Sequence, residues 1–282
     1  MPEYLDFKLF QPKARLATMV QGVWSTSVAS HNQNNIKRWL HSDACSGIMF
    51  NLGGTIQLNG TPFSMGAVFQ PVSKKAQVIT LSPGAMVVGV RFHPAMSFAI
   101  LGAIYQQATS IVQTQDNVLA FDHLAEQLKK VPGHYARIVV LYRWLQKILS
   151  SVDNIPAPLA SALQALENKR SPGELSAQVP LSQRQIERQF QKWLDMTPKY
   201  YQRISRVKAA LKLLKINPTT ELADLALNIG FSDQAHMTRE FRFIARITPK
   251  QYSQKVTDDK ANIDSTTLTN VISNKNDSDA NC

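Results

Sequence analysis

Residues 229–241 read IGFSDQAHMTREF and combine two kinds of side chain on one short segment. Met237 and Phe241 are four residues apart, which places them on one face of a helix that packs on a core. Gly230 and Ser232 precede that helix and fit a tight turn followed by a helix cap. The polar side chains away from the apolar face include Gln234, Thr238 and Arg239. A helix that only fills a core does not need them, so the segment predicts a helix that presents polar groups to a partner.

The same pattern occurs twice, at 175–202 and at 225–254. Val179 and Ser182 match Ile229 and Ser232 at an offset of 50 residues, and one residue is inserted after the serine. Beyond the insertion, Arg188, Phe190, Thr197, Pro198, Lys199 and Tyr201 match Arg239, Phe241, Thr248, Pro249, Lys250 and Tyr252 at an offset of 51. Each segment predicts a short helix, a tight turn and a second helix, which is the arrangement of a helix-turn-helix unit.

The second helix of each unit carries an apolar stripe and a polar outer face. Ser182 and Gln185 form a capping-box pair that starts the first of these helices. The expected buried stripes are Ile186, Phe190 and Trp193 in one helix and Met237, Phe241 and Ile244 in the other. Arg and Gln side chains pair bidentately with base edges in a major groove, so we expect the outer faces to bind double-stranded DNA. The predicted DNA-binding residues are Gln183, Arg184, Glu187, Arg188, Gln234, His236, Thr238 and Arg239.

One long helix is predicted between the two units, over 199–217. Its apolar positions are Ile204, Val207, Ala210, Leu211 and Leu214. A rigid helix of this kind can hold two reading helices about one turn of DNA apart. An ordinary helical bundle with polar faces is the alternative, and the repetition in register argues against it.

Charge supports a nucleic-acid partner. The chain carries a formal net charge of +11, and residues 160–256 hold 16 Lys and Arg against 8 Asp and Glu. A basic domain of this size can concentrate phosphate-binding charge on one face. Two cysteines far apart, no apolar run long enough to span a membrane and no signal-like N-terminus favour a cytoplasmic protein.

The N-terminal half has a different pattern. Short strands broken by turn residues are expected at 20–26, 47–52, 55–60, 76–81 and 86–92, which favours a β-barrel or jelly-roll-like domain. Helical patterns follow at 95–104, from about 120, and at 135–152. The last has an apolar stripe that packs either on its own sheet or against a second copy. The fold class is therefore α+β in two domains: a β-rich domain with helices, followed by an all-α domain of two helix-turn-helix units.

Domain limits follow from these changes in composition. We expect a β-rich sensor or dimerisation domain over 1–152, a linker over 153–158 and a DNA-binding domain over 159–256. Residues 257–282 are polar and nearly free of aromatic side chains, so they are expected to be disordered.

The C-terminal half resembles the AraC/XylS family of bacterial transcription regulators. The resemblance is carried by Arg206-x-x-x-Ala210-x-x-Leu213-Leu214, Ile229-Gly230-Phe231-Ser232-Asp233, Arg239-x-Phe241 and Thr248-Pro249-x-x-Tyr252. It implies DNA binding as an activator, RNA polymerase as a partner, and base-reading helices at 183–191 and 233–242. Family members often place glycine two residues before Thr-Pro, in a left-handed cap, whereas this chain has Asp195 and Arg246 there.

The N-terminal half leaves three functions open. It can sense a small ligand and form a homodimer, it can bind only a protein partner or its own copy, or it can be a metal enzyme of the cupin type. The candidate ligands for a metal are His31, His41, Cys45 and His93, without a His-x-His pair. We therefore expect no metal site, no cofactor and no enzymatic activity. The residues that would bind an effector are not predicted by any motif.

Overall fold

The computed structural model describes residues 5–102, 105–111, 120–153 and 155–258. The chain divides into two compact units, with the boundary between Ser205 and Arg206. The first unit therefore contains the β-rich domain together with the first helix-turn-helix unit, and the second unit contains the other. The predicted linker lies well before this boundary, and the predicted domain limits stay predictions.

Two antiparallel sheets form the N-terminal part of the first unit. The six-stranded sheet has the order β1-β2-β9-β4-β7-β10, and the four-stranded sheet has the order β3-β8-β5-β6. The strands in chain order, β1 to β10, are Leu5–Phe10, Val20–Val28, Ile36–Leu40, Gly47–Gly53, Ile56–Leu58, Thr61–Phe63, Gly66–Gln70, Gln77–Leu81, Met86–Phe92 and Thr109–Ser110. The expected strands are all present, and β1, β3, β6, β7 and β10 are additional to them.

The six-stranded sheet is buried on both faces because its strands alternate between two cores. Met49 and Val87 point to a core shared with the four-stranded sheet, where they meet Ile56 and Ile79. Their neighbours Ile48, Phe50, Val88 and Val90 point to the opposite core, which helices cover. Sheet, sheet and helices thus form three layers, which confirms the α+β class and the jelly-roll-like N-terminal domain.

Four helices accompany the sheets in the described residues before 153: α1 (Leu16–Met19), α2 (Met96–Leu101), α3 (Phe121–Lys130) and α4 (Gly133–Leu149). The predicted stripe of α4 is buried at Ile138, Leu141 and Leu145, in the same core as Phe50 of the six-stranded sheet. Of the two alternatives for this stripe, packing on the chain's own sheet is the one that the structure shows.

The C-terminal half is helical throughout its described residues. The elements are α5 (Ala157–Glu167), a 3₁₀ helix (Pro172–Ala177), α6 (Gln183–Leu194), α7 (Pro198–Ile216), α8 (Leu222–Ile229) and α9 (Gln234–Ile244). Residues 249–258 are also helical. Helix α5 begins inside the predicted linker, and the predicted tail, apart from 257–258, lies outside the described residues.

Helix α7 confirms the predicted connecting helix. All five of its expected apolar positions are buried: Ile204, Val207, Ala210, Leu211 and Leu214. Its first part belongs to the first compact unit and the rest to the second.

Across the residues that the structure describes, none of the helices has both the length and the apolar character needed to cross a membrane.

Candidate nucleic-acid interface

Helix α6 begins where the capping-box pair predicts. The backbone N–H of Ser182 donates to Gln185 Oε1 at 2.8 Å, and the backbone N–H of Gln185 donates to the Ser182 hydroxyl at 3.3 Å. Two backbone donors at the helix start are thereby satisfied. Arg184 and Arg188 are four residues apart within this helix, so they lie on one face of it.

The opposite face of α6 anchors the helix in the core. Ile186, Phe190 and Leu194 are buried, and the Phe190 ring meets the Tyr201 ring edge-on at 5.8 Å. The sequence pattern placed Trp193 in this stripe, but Trp193 is only partly buried. Leu194, one residue later, completes the buried face, because a helix of 3.6 residues per turn brings position i+8 as well as i+7 near the face of position i.

The outer face of α6 carries free cationic side chains. Arg184, Glu187 and Arg188 are exposed, and Gln183 is partly buried, with its amide donating to Glu187 Oε1 at 3.3 Å. Within the described part of the chain, Arg184 and Arg188 have neither an ion-pair partner nor a hydrogen bond. Both guanidinium groups are therefore available to a ligand outside the chain.

The cap of α9 differs from the expected one. Asp233, the inserted residue, is the N-cap: its carboxylate accepts from the backbone N–H of His236 at 2.6 Å. Ser232, which the repeat alignment suggested as the cap, donates its hydroxyl to the same carboxylate at 3.0 Å. The hydrogen bond from His236 lowers the pKa of the Asp233 carboxyl, and the bond from Ser232 adds to this shift. A carboxylate at this position is also favoured by the helix dipole.

The turn before α9 requires glycine. Gly230 ends α8 with a φ of 91°, in the left-handed region that side chains disfavour. Arg206 also lies over this turn, with its Nε 3.6 Å from the position that a Cβ on Gly230 would take. Burial lowers the pKa of Arg206, and the charge of Glu240 opposes that shift. The turn and the buried Met237 and Phe241 together set the position of α9 within its unit.

Only part of the predicted reading set of α9 is free of other contacts. Gln234 and Arg239 are exposed, whereas His236 and Thr238 are partly buried. The Thr238 hydroxyl donates to the Gln234 carbonyl at 2.9 Å, and His236 Nδ1 lies 3.0 Å from the Ser232 hydroxyl. The structure therefore leaves Gln234 and Arg239 as the more accessible pair. The base-reading role of all eight predicted residues stays a prediction.

The two positions where the family often has glycine are left-handed here as well. Asp195 has a φ of 53° and Arg246 a φ of 58°. The left-handed conformation is thus present at both positions, although neither residue is glycine. Non-glycine side chains in this region carry a steric cost, which is smaller for Asp than for Arg.

Contacts of α6 and α7 with the β7–β8 loop and with α2 were missed by the sequence pattern. Lys74, in the β7–β8 loop, pairs with Asp195 at 3.2 Å between Nζ and Oδ2, and its carbonyl accepts from the Tyr200 hydroxyl at 3.1 Å. Phe98 of α2 contacts the Trp193 ring at 4.8 Å between centroids. These partners lie far apart along the chain, and no sequence motif marks them.

A cavity of about 360 Å³ adjoins these contacts within the first unit. Aromatic and polar side chains line it together, among them Phe69, Gln77, Tyr105, Gln106 and Trp193. Lys74 and Asp195 stand at the same cavity. Its volume is in the range of small-molecule sites.

The histidines and the cysteine considered for a metal site have other surroundings. His93 Nε2 lies 3.1 Å from the Ala17 carbonyl, and Cys45 is buried without a disulfide. In the ranges that the structure describes, no three His, Cys, Asp or Glu side chains are grouped so as to hold a metal ion.

Comparison with known proteins gives two matching families. Residues 175–255 match a helix-turn-helix domain family, and residues 8–111 match a domain of unknown function, DUF6597. No curated protein matches the chain significantly.

Solved structures with a similar arrangement include ToxT from Vibrio cholerae, at 9% identity and a TM-score of 0.45, covering 78% of this chain and 97% of that one. A transcriptional regulator with an AraC-type DNA-binding domain from Chromobacterium violaceum is 26% identical, with a TM-score of 0.34, over 35% of this chain and 91% of that one. At these TM-scores the likeness adds nothing to the assignment.

The family match coincides with both helix-turn-helix units, with the capped helices α6 and α9, and with the Arg206-to-Tyr252 motifs of the sequence. Residues 175–255 are thus a helix-turn-helix domain, and the match confirms the resemblance to AraC/XylS-family transcription regulators that the sequence motifs indicate.

Proposed function

We propose that this DNA-binding regulator activates transcription by placing α6 and α9 in adjacent major grooves. The observation that carries the proposal is the outer face of α6, where Arg184 and Arg188 are exposed and have no partner among the described residues. The apolar face of the same helix is buried at Phe190, so the two arginines stand on a fixed support. Arg239 occupies the matching position of α9.

Base reading follows from the chemistry of these side chains. A guanidinium pairs with the O6 and N7 atoms of guanine, and an amide such as that of Gln234 pairs with N6 and N7 of adenine. Each good pair discriminates against a wrong base by about 1–3 kcal/mol. Two arginines on α6 and one arginine with one glutamine on α9 supply enough groups for two short half-sites.

Selection of bound sequences from a random DNA pool tests this proposal and yields the operator. Arg188→Ala and Arg239→Ala are then each expected to lose about 1–3 kcal/mol of binding to the operator, and little on random DNA. Lys212→Ala is the matched control, because it removes one exposed cation from α7 without touching either reading helix. An equal loss on operator and random DNA would make the arginine a phosphate contact and overturn its reading role.

Use of two grooves has its own test. Half-sites one helical turn apart face the same side of the duplex. Inserting about 5 base pairs between them turns one half-site to the other side, so affinity is expected to fall to that of a single half-site. Unchanged affinity would mean that only one unit reads DNA.

We also propose that the N-terminal domain senses a small effector. The cavity of about 360 Å³ supports this, because flat apolar walls at Phe69 and Tyr105 stand beside hydrogen-bonding groups at Gln77 and Gln106. An effector that binds the native state raises the apparent stability, so thermal-shift screening with metabolites identifies it. Tyr105→Ala should abolish the shift if the ligand occupies this cavity.

Dimerisation through α4 is a second proposal for the same domain. Tyr135 and Val139 lie one turn apart on its outer face, 70% and 47% exposed, although both are apolar enough to pack against a second copy. Sedimentation of the full chain is expected to show a dimer that Val139→Lys dissociates. A monomer at all concentrations would exclude this role for α4.

We also propose that the regulator works in the cytoplasm, contacts RNA polymerase at its promoters and is not an enzyme. His93, held at the Ala17 carbonyl, and the buried Cys45 support the last point. Transcription with purified polymerase tests activation, and stoichiometric metal in the purified protein would count against the non-enzymatic assignment.

A further inference from the structure

We infer that Lys74 and Phe98, two residues of the N-terminal domain, are positioning residues for DNA reading by α6. The inference rests on the proposed role of α6 and adds to it. The contacts that these residues make with Trp193, Asp195 and Tyr200 are called the α6 interface below. All five residues lie in the first compact unit.

The α6 interface joins the end of the reading helix to the β7–β8 loop and to α2 in several ways. Lys74 contributes both an ion pair to Asp195 and a carbonyl acceptor to the Tyr200 hydroxyl, at 3.2 Å and 3.1 Å. The Phe98 ring lies against Trp193, and the Lys192 ammonium stands 5.6 Å from the same Phe98 ring. An ion pair, a hydrogen bond and an aromatic contact therefore involve the same few residues of α6 and α7.

The ion pair with Lys74 also offsets the unfavourable position of the Asp195 carboxylate at the end of α6. Asp195 caps the C-terminal end of α6, where the helix dipole is negative and a carboxylate is disfavoured. Lys74 supplies a cation at this carboxylate. Asp195 thus has two partners: Gln191 within α6, whose amide donates to the carboxylate at 2.7 Å, and Lys74 in the N-terminal domain.

The α6 interface does not cover the reading positions. Arg184 and Arg188 are exposed, and Arg188 precedes Asp195 by about two helical turns. The α6 interface holds the C-terminal end of α6 and leaves the reading face open. It therefore fixes the orientation of α6 without covering Arg184 and Arg188. Preorganisation of this kind reduces the cost of ordering the helix on DNA.

The magnitude expected from each contact is modest. Lys74 and Asp195 keep 47% and 28% of their side chains exposed, so solvent screens the ion pair. Lys74→Ala alone is expected to weaken operator binding by about twofold. The aromatic contact adds to this, so Lys74→Ala with Phe98→Ala should weaken binding by about tenfold.

The experiment uses the full chain and three DNAs: the selected operator, the operator with the α6 half-site scrambled, and the operator with the α9 half-site scrambled. The double variant should lose about tenfold on the first and third DNA and nothing on the second. Lys37→Ala, which removes an exposed lysine of β3, is the control for loss of charge in the N-terminal domain. Lys74→Arg keeps the ion pair and should restore wild-type binding.

Two further variants keep the outcome decisive. Phe98→Leu replaces Phe98→Ala if the latter lowers the melting temperature, and Asp195→Asn removes the charge while tolerating the left-handed backbone. Asp195→Asn and Lys74→Ala should be non-additive on the intact operator. Equal losses on all three DNAs, additive losses, or no loss on the operator would each overturn the inference.

Arg188→Ala separates this inference from the proposed function. If Arg188→Ala leaves all three affinities unchanged, α6 does not read DNA and the proposed function fails with it. If Arg188→Ala lowers affinity only where the α6 half-site is intact, while the interface variants do not, only the role of Lys74 and Phe98 is wrong.

Discussion

The first helix-turn-helix unit opens with a 3₁₀ helix and caps its reading helix with a serine, whereas the second opens with α8 and caps α9 with Asp233. The first also contacts α2 through Trp193 and the β7–β8 loop through Asp195. Yet both bury a phenylalanine at the matching position and both end with a left-handed residue. The two units therefore share the buried phenylalanine that holds the reading helix in the core. They differ in the residue that caps this helix and in the element that precedes it.

The largest effects are expected where the two units agree. Phe190 and Phe241 are fully buried in their units. Phe190→Ala and Phe241→Ala should each lower the free energy of unfolding by about 3–5 kcal/mol, because each leaves a cavity. Denaturant unfolding measures the loss, and Leu227→Ala, at a side chain 62% exposed, should cost about 0.5 kcal/mol or less. A phenylalanine variant no worse than this control would show that its unit is anchored elsewhere.

The turns before the reading helices should respond differently. Gly230 is left-handed and its counterpart in the repeat is Pro180, which is not among the left-handed residues described. Gly230→Ala should destabilise the second unit by about 1–2 kcal/mol. Pro180→Ala, at an exposed position, should change the free energy of unfolding by less than about 1 kcal/mol. Similar losses at both positions would contradict the described difference between the turns.

The left-handed residues after the reading helices offer a stabilising change. Arg246 adopts a φ of 58°, so Arg246→Gly should raise the free energy of unfolding by about 0.5–1 kcal/mol. Asp195→Gly should gain less, because it also removes the ion pair with Lys74 and the hydrogen bond from Gln191 at 2.7 Å. Thermal unfolding of the two variants side by side measures the difference, and an equal gain would show that these contacts contribute nothing.

The smallest expected effect concerns pH and separates the two caps. Asp233 has a pKa below its ordinary value of 3.8 in the folded chain. Its contribution is therefore fully present above that pH and is lost as the pH falls through the lower folded value. The hydroxyl cap Ser182 does not titrate in this range. Asp233→Ser should remove part of the acid sensitivity of the melting temperature, whereas Ser182→Thr should not alter it.

Local elements were predictable because their signals are local. The buried stripe of α7 and the cap of α6 depend on residues three and four apart, and the sequence shows both. The left-handed backbone at Asp195 and Arg246 was not predicted, because neither residue is the glycine that usually marks such a cap.

The cap of α9 was predicted wrongly for an equally local reason. The repeat alignment carried Ser232 over from Ser182 and treated Asp233 as an insertion. Both residue types are good caps, and the carboxylate of Asp233 is placed one residue closer to the helix. An alignment of identities cannot choose between two adjacent caps of similar strength.

Contacts of high sequence separation were not predictable. Lys74 and Asp195 lie 121 residues apart, and each looks like an ordinary surface charge in its own segment. The contact between Trp193 and Phe98 was missed for the same reason, because Phe98 comes from the other half of the chain. Such pairs form only when the chain has folded, and they produce no periodic pattern in the sequence.

The left-handed backbone at Asp195 affects which single-base mutations change the function of the protein. Both aspartate codons become glycine codons by one base change, and glycine suits this conformation better. A single mutation can therefore relax the end of α6 and cut its tie to Lys74 at once. In a genetic screen for variants in which the N-terminal domain no longer affects DNA binding by α6, we expect substitutions of Asp195 to recur.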